Sequence, residues 1–336
     1  MKKYIIILAT ILLVAAVAGF FLLLPGKFDA EIEKTIASVE PGTLTLAVYS
    51  DLHHDPSKKE PGALEPTMYC IKQIMKKCHV DAMWNLGDLI NGHNTTKAEA
   101  LAQIKTVTDA ENQISANVHR IIGNHDNNVQ STYASNTGYG PEEILSLAEM
   151  NAALENAGSE VHNPLRLTDY YVDFPTIRVV CLSADGTTWQ AETAEWLSTT
   201  ALITDKEVLV LSHIPTRPEW GFRNDVTNGE IIESALERFI SQGGVVIAYI
   251  HGHDHGDMVQ QVIGDDGQVL WNSVAIGCAR FQYPTSNGTS NMVFWPRNES
   301  DATSVLFDIV TIDQEKREVR FVRCGAGGDR MMTYGR

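Results

Sequence analysis

Leu44-Thr45-Leu46-Ala47-Val48-Tyr49-Ser50-Asp51-Leu52-His53 is an apolar run that ends in a carboxylate and an imidazole two residues apart. Leu44 to Tyr49 reads as a strand, and the polar end as the loop into which it runs. Period-two geometry sends Asp51 and His53 to the same side, so both can reach one ion. Alone the pattern is weak, but it recurs. Asp81 to Leu86 reads as a strand ending at Gly87-Asp88, and Val118 to Ile122 as one ending at Gly123-Asn124-His125-Asp126. Glu207 to Leu211 leads to His213 within Ser212-His213-Ile214-Pro215, and Val245 to Ile250 leads to Gly252-His253-Asp254-His255. These strand ends carry the carboxylates Asp51 and Asp88, the carboxamide Asn124, and the imidazoles His53, His213, His253 and His255. Such a donor set suits two divalent cations with hydrolytic chemistry between them. Strand ends are also where open α/β sheets build their sites.

The segments between support this layout. Pro66 to Lys77 reads as a helix with Met68, Ile71, Ile74 and Met75 on one face, and Thr96 to Ile114 as a longer one. Alternating strands and helices imply parallel strands joined by right-handed crossovers. From Asn127 to Asp169 the pattern breaks; Pro141 opens a helix through Ala157, and the stretch reads as an insertion lying over the site. Strands return at Tyr170–Phe174 and Ile177–Ser183, with helices at Thr193–Leu202 and Glu230–Ser241. Beyond them come strands at Met258–Ile263, Val269–Ala275, Thr303–Ile312 and Glu318–Val322, the first two joined by the hairpin signal Gly264-Asp265-Asp266-Gly267. The order predicts an α/β fold: a four-layer α-β-β-α sandwich of two mixed sheets, with a dimetal site at the strand carboxyl ends.

The chain has 336 residues and 44% hydrophobic content, which excludes collagen-like, coiled-coil and disordered classes. Met1-Lys2-Lys3 precedes an uncharged stretch from Tyr4 to Leu24 that would span about 31 Å as a helix, the thickness of a bilayer core. Residues 1–24 therefore read as an anchor, with the lysines cytoplasmic and the rest of the chain outside the cell membrane. Cleavage after Ala16-Val17-Ala18 is the alternative, giving a secreted protein, but it would leave the apolar Gly19 to Leu24 as a new terminus. Residues 25–42, bracketed by Pro25-Gly26 and Pro41-Gly42, read as a linker, and 43–336 as one catalytic domain. The net charge is −16, or −18 without Lys2 and Lys3, and counts against nucleic acid and anionic lipid as partners. The scattered cysteines 70, 78, 181, 278 and 324 form no CxxC motif and read as mostly buried thiols. Two divalent ions would outweigh Asp51, Asp88 and a bridging hydroxide by about one positive unit, which suits an anionic phosphate.

The set resembles the calcineurin-like metallophosphoesterases, over a span from Leu44 to about Arg330. The resemblance implies that Asp51, His53, Asp88 and His255 hold one metal. Asp88 would bridge to a second, held also by Asn124, His213 and His253. It further implies that His125, oriented by Asp126, binds no metal but protonates the leaving oxygen while a metal-bound hydroxide attacks phosphorus. Glu195-Trp196-Leu197 looks like the family's helix after the lid, and Cys324-Gly325-Ala326-Gly327-Gly328-Asp329-Arg330 resembles the ending of many bacterial members. Purple acid phosphatases of this superfamily carry a tyrosine three residues after the bridging aspartate and a non-histidine partner in the first motif. Here those positions are Asn91 and His53, which argues against a charge-transfer ferric site.

The expected activity is dimetal-dependent hydrolysis of a phosphate ester. The metal is left among Mn, Fe, Zn, Ni and Co, and no protein partner is predictable. A non-catalytic exported module that binds a phosphorylated ligand or metal, and a nuclease, are the alternatives. His54 reads as a rim residue and His251 as the end of its strand; His79, His93, His119 and His162 read as incidental surface residues. Arg217 reads as a solvated loop charge rather than a phosphate clamp. Trp220, Phe222, Tyr283 and Trp295 fall in loops able to line a pocket.

Overall fold

In Leu44–Tyr49 (β1), Leu44, Leu46 and Val48 face one side and Ala47 and Tyr49 the other, and both sides are buried. A strand apolar on both faces must lie between two layers, and that fixes the architecture. The computed structural model describes residues 25–57, 62–129, 140–217, 226–281 and 292–335. The expected anchor over residues 1–24 lies outside them, as do Trp220, Phe222 and Tyr283. Among the described residues no helix is long and apolar enough to cross a membrane.

The strands are β1, Ala82–Asn85 (β2), Val118–Arg120 (β3), Val161–His162 (β4), Tyr170–Asp173 (β5), Ile177–Leu182 (β6) and Glu207–Ser212 (β7). They continue with Val246–His251 (β8), Asp257–Ile263 (β9), Val269–Ile276 (β10), Leu306–Asp313 (β11), Glu318–Gly325 (β12) and Arg330–Thr333 (β13). One sheet runs β13-β12-β11-β1-β2-β3 and the other β4-β5-β6-β7-β8-β10-β9. Both are mixed: β1, β2 and β3 pair in parallel, as do β6, β7, β8 and β10, while β11 and β9 join antiparallel. Leu46, Val48, Trp84, Val179, Leu209, Leu211, Ile250 and Val310 fill the layer between the sheets. The α-β-β-α sandwich expected from the sequence is therefore present, with helices covering both outer faces.

The helices are Pro25–Ser38 (α1), Leu64–Met75 (α2), Lys97–Asn112 (α3), Leu147–Leu154 (α4), Ala191–Trp196 (α5) and Glu230–Ser241 (α6). Thr96 caps α3 in a capping box with Glu99, and Ser146 does the same for α4 with Glu149. The linker reading of residues 25–42 is corrected by α1. Phe28 and Ile32, one turn apart, are buried in the outer core, and Thr35 Oγ1 bonds the Arg323 carbonyl at 3.4 Å. The Pro-Gly pairs bracket a docked helix rather than a tether. Residues 130–139 of the insertion lie outside the described residues; its described part buries Leu145, Met150 and Leu154 in the same core.

Buried ion pairs tie the layers together. The Arg323 guanidinium reaches Asp308 on β11 at 2.8 Å and Asp257 at the start of β9 at 2.9 Å, joining one sheet to the other. On the outer side of the first sheet, Arg120 and Glu111 pair with no solvent exposure.

Candidate metal centre

The carboxyl ends of β1, β2 and β3 meet those of β7 and β8 across the interface between sheets. Each strand releases its chain into a sharp turn there, and the turn residues are the polar ones. Asp51, His53, Asp88, His253 and His255 all adopt positive φ, between 46° and 71°. Non-glycine residues in this left-handed region cost of the order of 1–3 kcal/mol each and cluster at functional sites. The loops hold this shape by bonding one another: Asp51 N donates to the Gly87 carbonyl at 3.0 Å, and His53 N to that of Asp88 at 2.8 Å.

Glycines let the loops close. A Cβ at Gly123 would overlap the Asp88 carboxylate, and one at Gly252 would overlap Ser50 Oγ and stand 2.5 Å from Asp51 Oδ2. That same oxygen accepts the His253 backbone N–H at 3.0 Å. Gly252→Ala is therefore expected to shift Asp51 and weaken any metal held through it about 10–100-fold, the scale of lost supporting contacts. Calorimetric metal titration would measure this, and wild-type affinity would mean that the loop yields without moving the carboxylate.

The ligand atoms of Asp51, His53, Asp88 and His255 lie within 4.8 Å of one another. His53 Nε2 and His255 Nε2 face each other at 3.0 Å, and Asp51 Oδ1 lies 3.2 Å from His255 Nε2. That oxygen is buried and has no hydrogen-bond donor among the described residues. Facing ring nitrogens beside a carboxylate oxygen without a donor form a pocket that requires positive charge, so this donor set fits a divalent cation.

Asp88 joins this group to a second. Its Oδ2 lies 3.4 Å from His53 Nε2 and 3.3 Å from His213 Nε2. Asn124 Oδ1 lies 3.1 Å from His213 Nε2 and 2.9 Å from His253 Nδ1. His213 Nδ1 faces the Leu86 carbonyl at 3.1 Å, which fixes its N–H there and turns the Nε2 lone pair toward the centre. All seven residues expected to bind metal thus converge, in the two sets inferred from the resemblance.

The electrostatics follow from burial and from these contacts. Burial pushes the Asp51 and Asp88 carboxyls up, but the surrounding imidazoles outweigh it and hold both below the usual carboxylate range. Burial pushes His213 down, while Asp88 and Asp51 raise it to about 9. His255 is raised well above its ordinary value against the same burial, chiefly by Cys278 and Asp51. The two carboxylates draw positive charge, from protons or from cations.

His125 stands at the edge. Its Nε2 lies 3.9 Å from Asp88 Oδ2, its backbone N–H donates to Asp88 Oδ1 at 2.8 Å, and its ring meets that of His53 edge-on with centroids 4.6 Å apart. The expected orientation by Asp126 is corrected. His125 Nδ1 faces the Asn91 carbonyl at 2.8 Å. The Asp126 carboxylate instead accepts the backbone N–H groups of Asp88, Ile90 and Gly123 at 2.8–3.2 Å. It clamps two ligand loops together, and burial with the nearby Asp88 charge pushes it up to about 7.

Other expectations resolve one by one. His54 is half-buried and bridges to Ile90, while His251 is buried at the end of β8 with Nε2 unpartnered among the described residues. Arg217 is half-buried, and Glu233 on α6 binds its Nε at 2.7 Å. His119 is not a surface residue: it is buried, stacks on Trp84 with centroids 4.4 Å apart and pairs with Glu160. His93, also read as incidental, has its ring 6.3 Å from that of His125. Sequence reasoning missed Asn91 and Cys278, whose thiol donates to the Asp51 carbonyl at 3.1 Å. Asn91 acts through its carbonyl, which every residue possesses, so no side-chain signal marked it.

No curated protein sequence matches the chain. Among solved structures it is similar to a dimetal phosphatase from Danio rerio, at 17% identity and TM-score 0.61, covering 88% of this chain and all of that one. It is also similar to the purple acid phosphatase PPD1 from yellow lupin (Lupinus luteus), at 14% identity and TM-score 0.55, covering 88% of this chain and 55% of that one. These likenesses establish the fold. Residues 44–257, from β1 to the start of β9 and well over half of the chain, match the family profile for calcineurin-like phosphoesterases. With the ligand loops all inside that span, the chain belongs to the calcineurin-like phosphoesterases and is a hydrolase of phosphoric ester bonds.

Proposed function

We propose that the chain is a dimetal phosphoric ester hydrolase, with one ion held by Asp51, His53, Asp88 and His255 and the other by Asp88, Asn124, His213 and His253. The observation that carries this reading is the meeting of both donor sets at Asp88 Oδ2, within 3.4 Å of His53 Nε2 and 3.3 Å of His213 Nε2. When bound, ions of the Mn, Fe, Zn, Ni or Co class supply an acidified water and positive charge at the phosphoryl group. Asn91, whose amide donates to Asp55 at 3.2 Å, cannot offer the phenolate of a purple phosphatase.

His125 belongs to neither donor set. Its Nδ1–H donates to the Asn91 carbonyl, which directs Nε2 toward the centre. From there it gives a proton to the departing alkoxide. His125→Ala is expected to lower turnover of an alkyl phosphate about 10²–10⁴-fold. The loss should be far smaller for p-nitrophenyl phosphate, whose leaving group departs without a proton. Equal losses on both esters would remove the acid role.

We read Tyr4–Leu24 as an anchor that holds this domain outside the cytoplasmic membrane, on its lack of charge and on the lysines before it. Protease added to intact cells should then digest the domain, and protection would overturn that placement.

A further inference from the structure

Among the described residues of the centre, His125 at 12% and His255 at 14% have the most exposed side chains, against 0–1% for Asp51, His53, Asp88 and His213. The mouth therefore lies between these imidazoles, and its two sides differ. Beside His255, the space bounded by Asp257, Phe294, Trp295 and Arg297 amounts to about 10 Å³, room for about one water. On the His125 side, beyond Asn91 and His93, a cleft of about 510 Å³ opens between the Asp55–Ser57 turn, the Asn91–Thr95 loop and the Glu99–Gln103 turn of α3. That volume falls within the range that seats a small ligand. The cleft adjoins the centre through Asn91, which holds His125, and through His93, whose ring is 6.3 Å from that of His125.

In-line displacement at phosphorus expels the alcohol on the face opposite the nucleophile, and the acid must stand on the alcohol's side. With His125 as that acid, the alcohol departs past it. We propose that this cleft is the alcohol subsite of the ester, and that it takes a small alcohol bearing hydrogen-bond donors, hydroxyl or ammonium, rather than an acyl-chain lipid. The inference rests on the hydrolase reading above. Of the described lining only Pro56 and Ala102 are apolar, whereas Asp55, Asn94, Glu99 and Gln103 offer acceptors. An acyl chain would cover these acceptors without supplying a donor to satisfy them.

Two variants test this, each read as a ratio of kcat/KM values within one protein sample, so that partial unfolding or metal loss cancels. For Gln103→Leu, the ratio of glycerol 2-phosphate to phenyl phosphate should fall about tenfold, the scale of one lost hydrogen bond. For Ala102→Trp, which fills the cleft from an exposed helix position, the ratio of methyl phosphate to glycerol 2-phosphate should rise at least about tenfold. Wild-type ratios in both variants would overturn the subsite while leaving the hydrolase reading intact. Hydrolysis of none of these esters by the metal-loaded wild type would overturn that reading, and the subsite with it.

Discussion

Asp88→Ala should remove turnover of every phosphate ester, by at least about 10²–10³-fold, the scale set by losing one transition-state-stabilising group. The proposed centre gives this residue two tasks. Its Oδ2 lies between His53 and His213, so its loss opens both donor sets at once. Its Oδ1 accepts the His125 backbone N–H at 2.8 Å, so the same change also releases the loop that carries the acid. Elemental analysis should therefore find fewer than two ions per chain in the variant. Asp88→Asn retains that backbone hydrogen bond and most of the shape but not the charge. It should keep the fold and His125 position while still losing metal. Wild-type metal content in both variants would remove Asp88 from the centre.

The second large effect is on stability and lies away from the metal. Glu111→Ala is expected to cost about 3–5 kcal/mol, because it leaves the Arg120 guanidinium buried without its counter-charge. Glu111 also accepts from Asn85 at 2.8 Å and from the Tyr49 hydroxyl, while Arg120 donates to the Leu154 and Glu155 carbonyls at 2.8 and 2.9 Å. One buried pair thus ties β1, β2 and β3 to the end of α3 and to α4. These are the strands whose ends carry Asp51, Asp88 and Asn124, so a loosened pair should soften the metal loops as well. The urea midpoint should fall with an unchanged slope. Glu111→Met combined with Arg120→Met should recover much of the loss, because an apolar pair of similar volume leaves no orphaned charge. A loss below about 1 kcal/mol in the single variant would show that water or a neighbouring group replaces the carboxylate.

The sequence was most informative where side-chain chemistry and chain periodicity coincided. Strands from Leu44, Ile177, Glu207 and Val269 start at the residues expected, because each is a short apolar run bounded by turn signals. The metal residues were legible for a related reason: carboxylates and imidazoles directly after such runs have few other uses. Residues 25–42 were misread because two Pro-Gly pairs outweighed the spacing of Phe28, Ile32 and Ile36, which face the core a helical turn apart. In the insertion, a polar loop start concealed the core residues Leu145, Met150 and Leu154.

By itself the sequence determined the layer order of the fold, the family, and the residues proposed to hold two cations. All of these depend on local pattern, which a linear reading can follow. Tertiary structure alone decided what surrounds those residues. The partner of the His125 ring is the carbonyl of Asn91, and Asp126 turns away to clamp three backbone N–H groups. The space that touches the centre at His255 is about 10 Å³, and a cleft of about 510 Å³ lies beyond Asn91 and His93. Each of these depends on which loop of one sheet meets which loop of the other. The backbone groups that decide it are the same in every residue, so the sequence carries no mark of them.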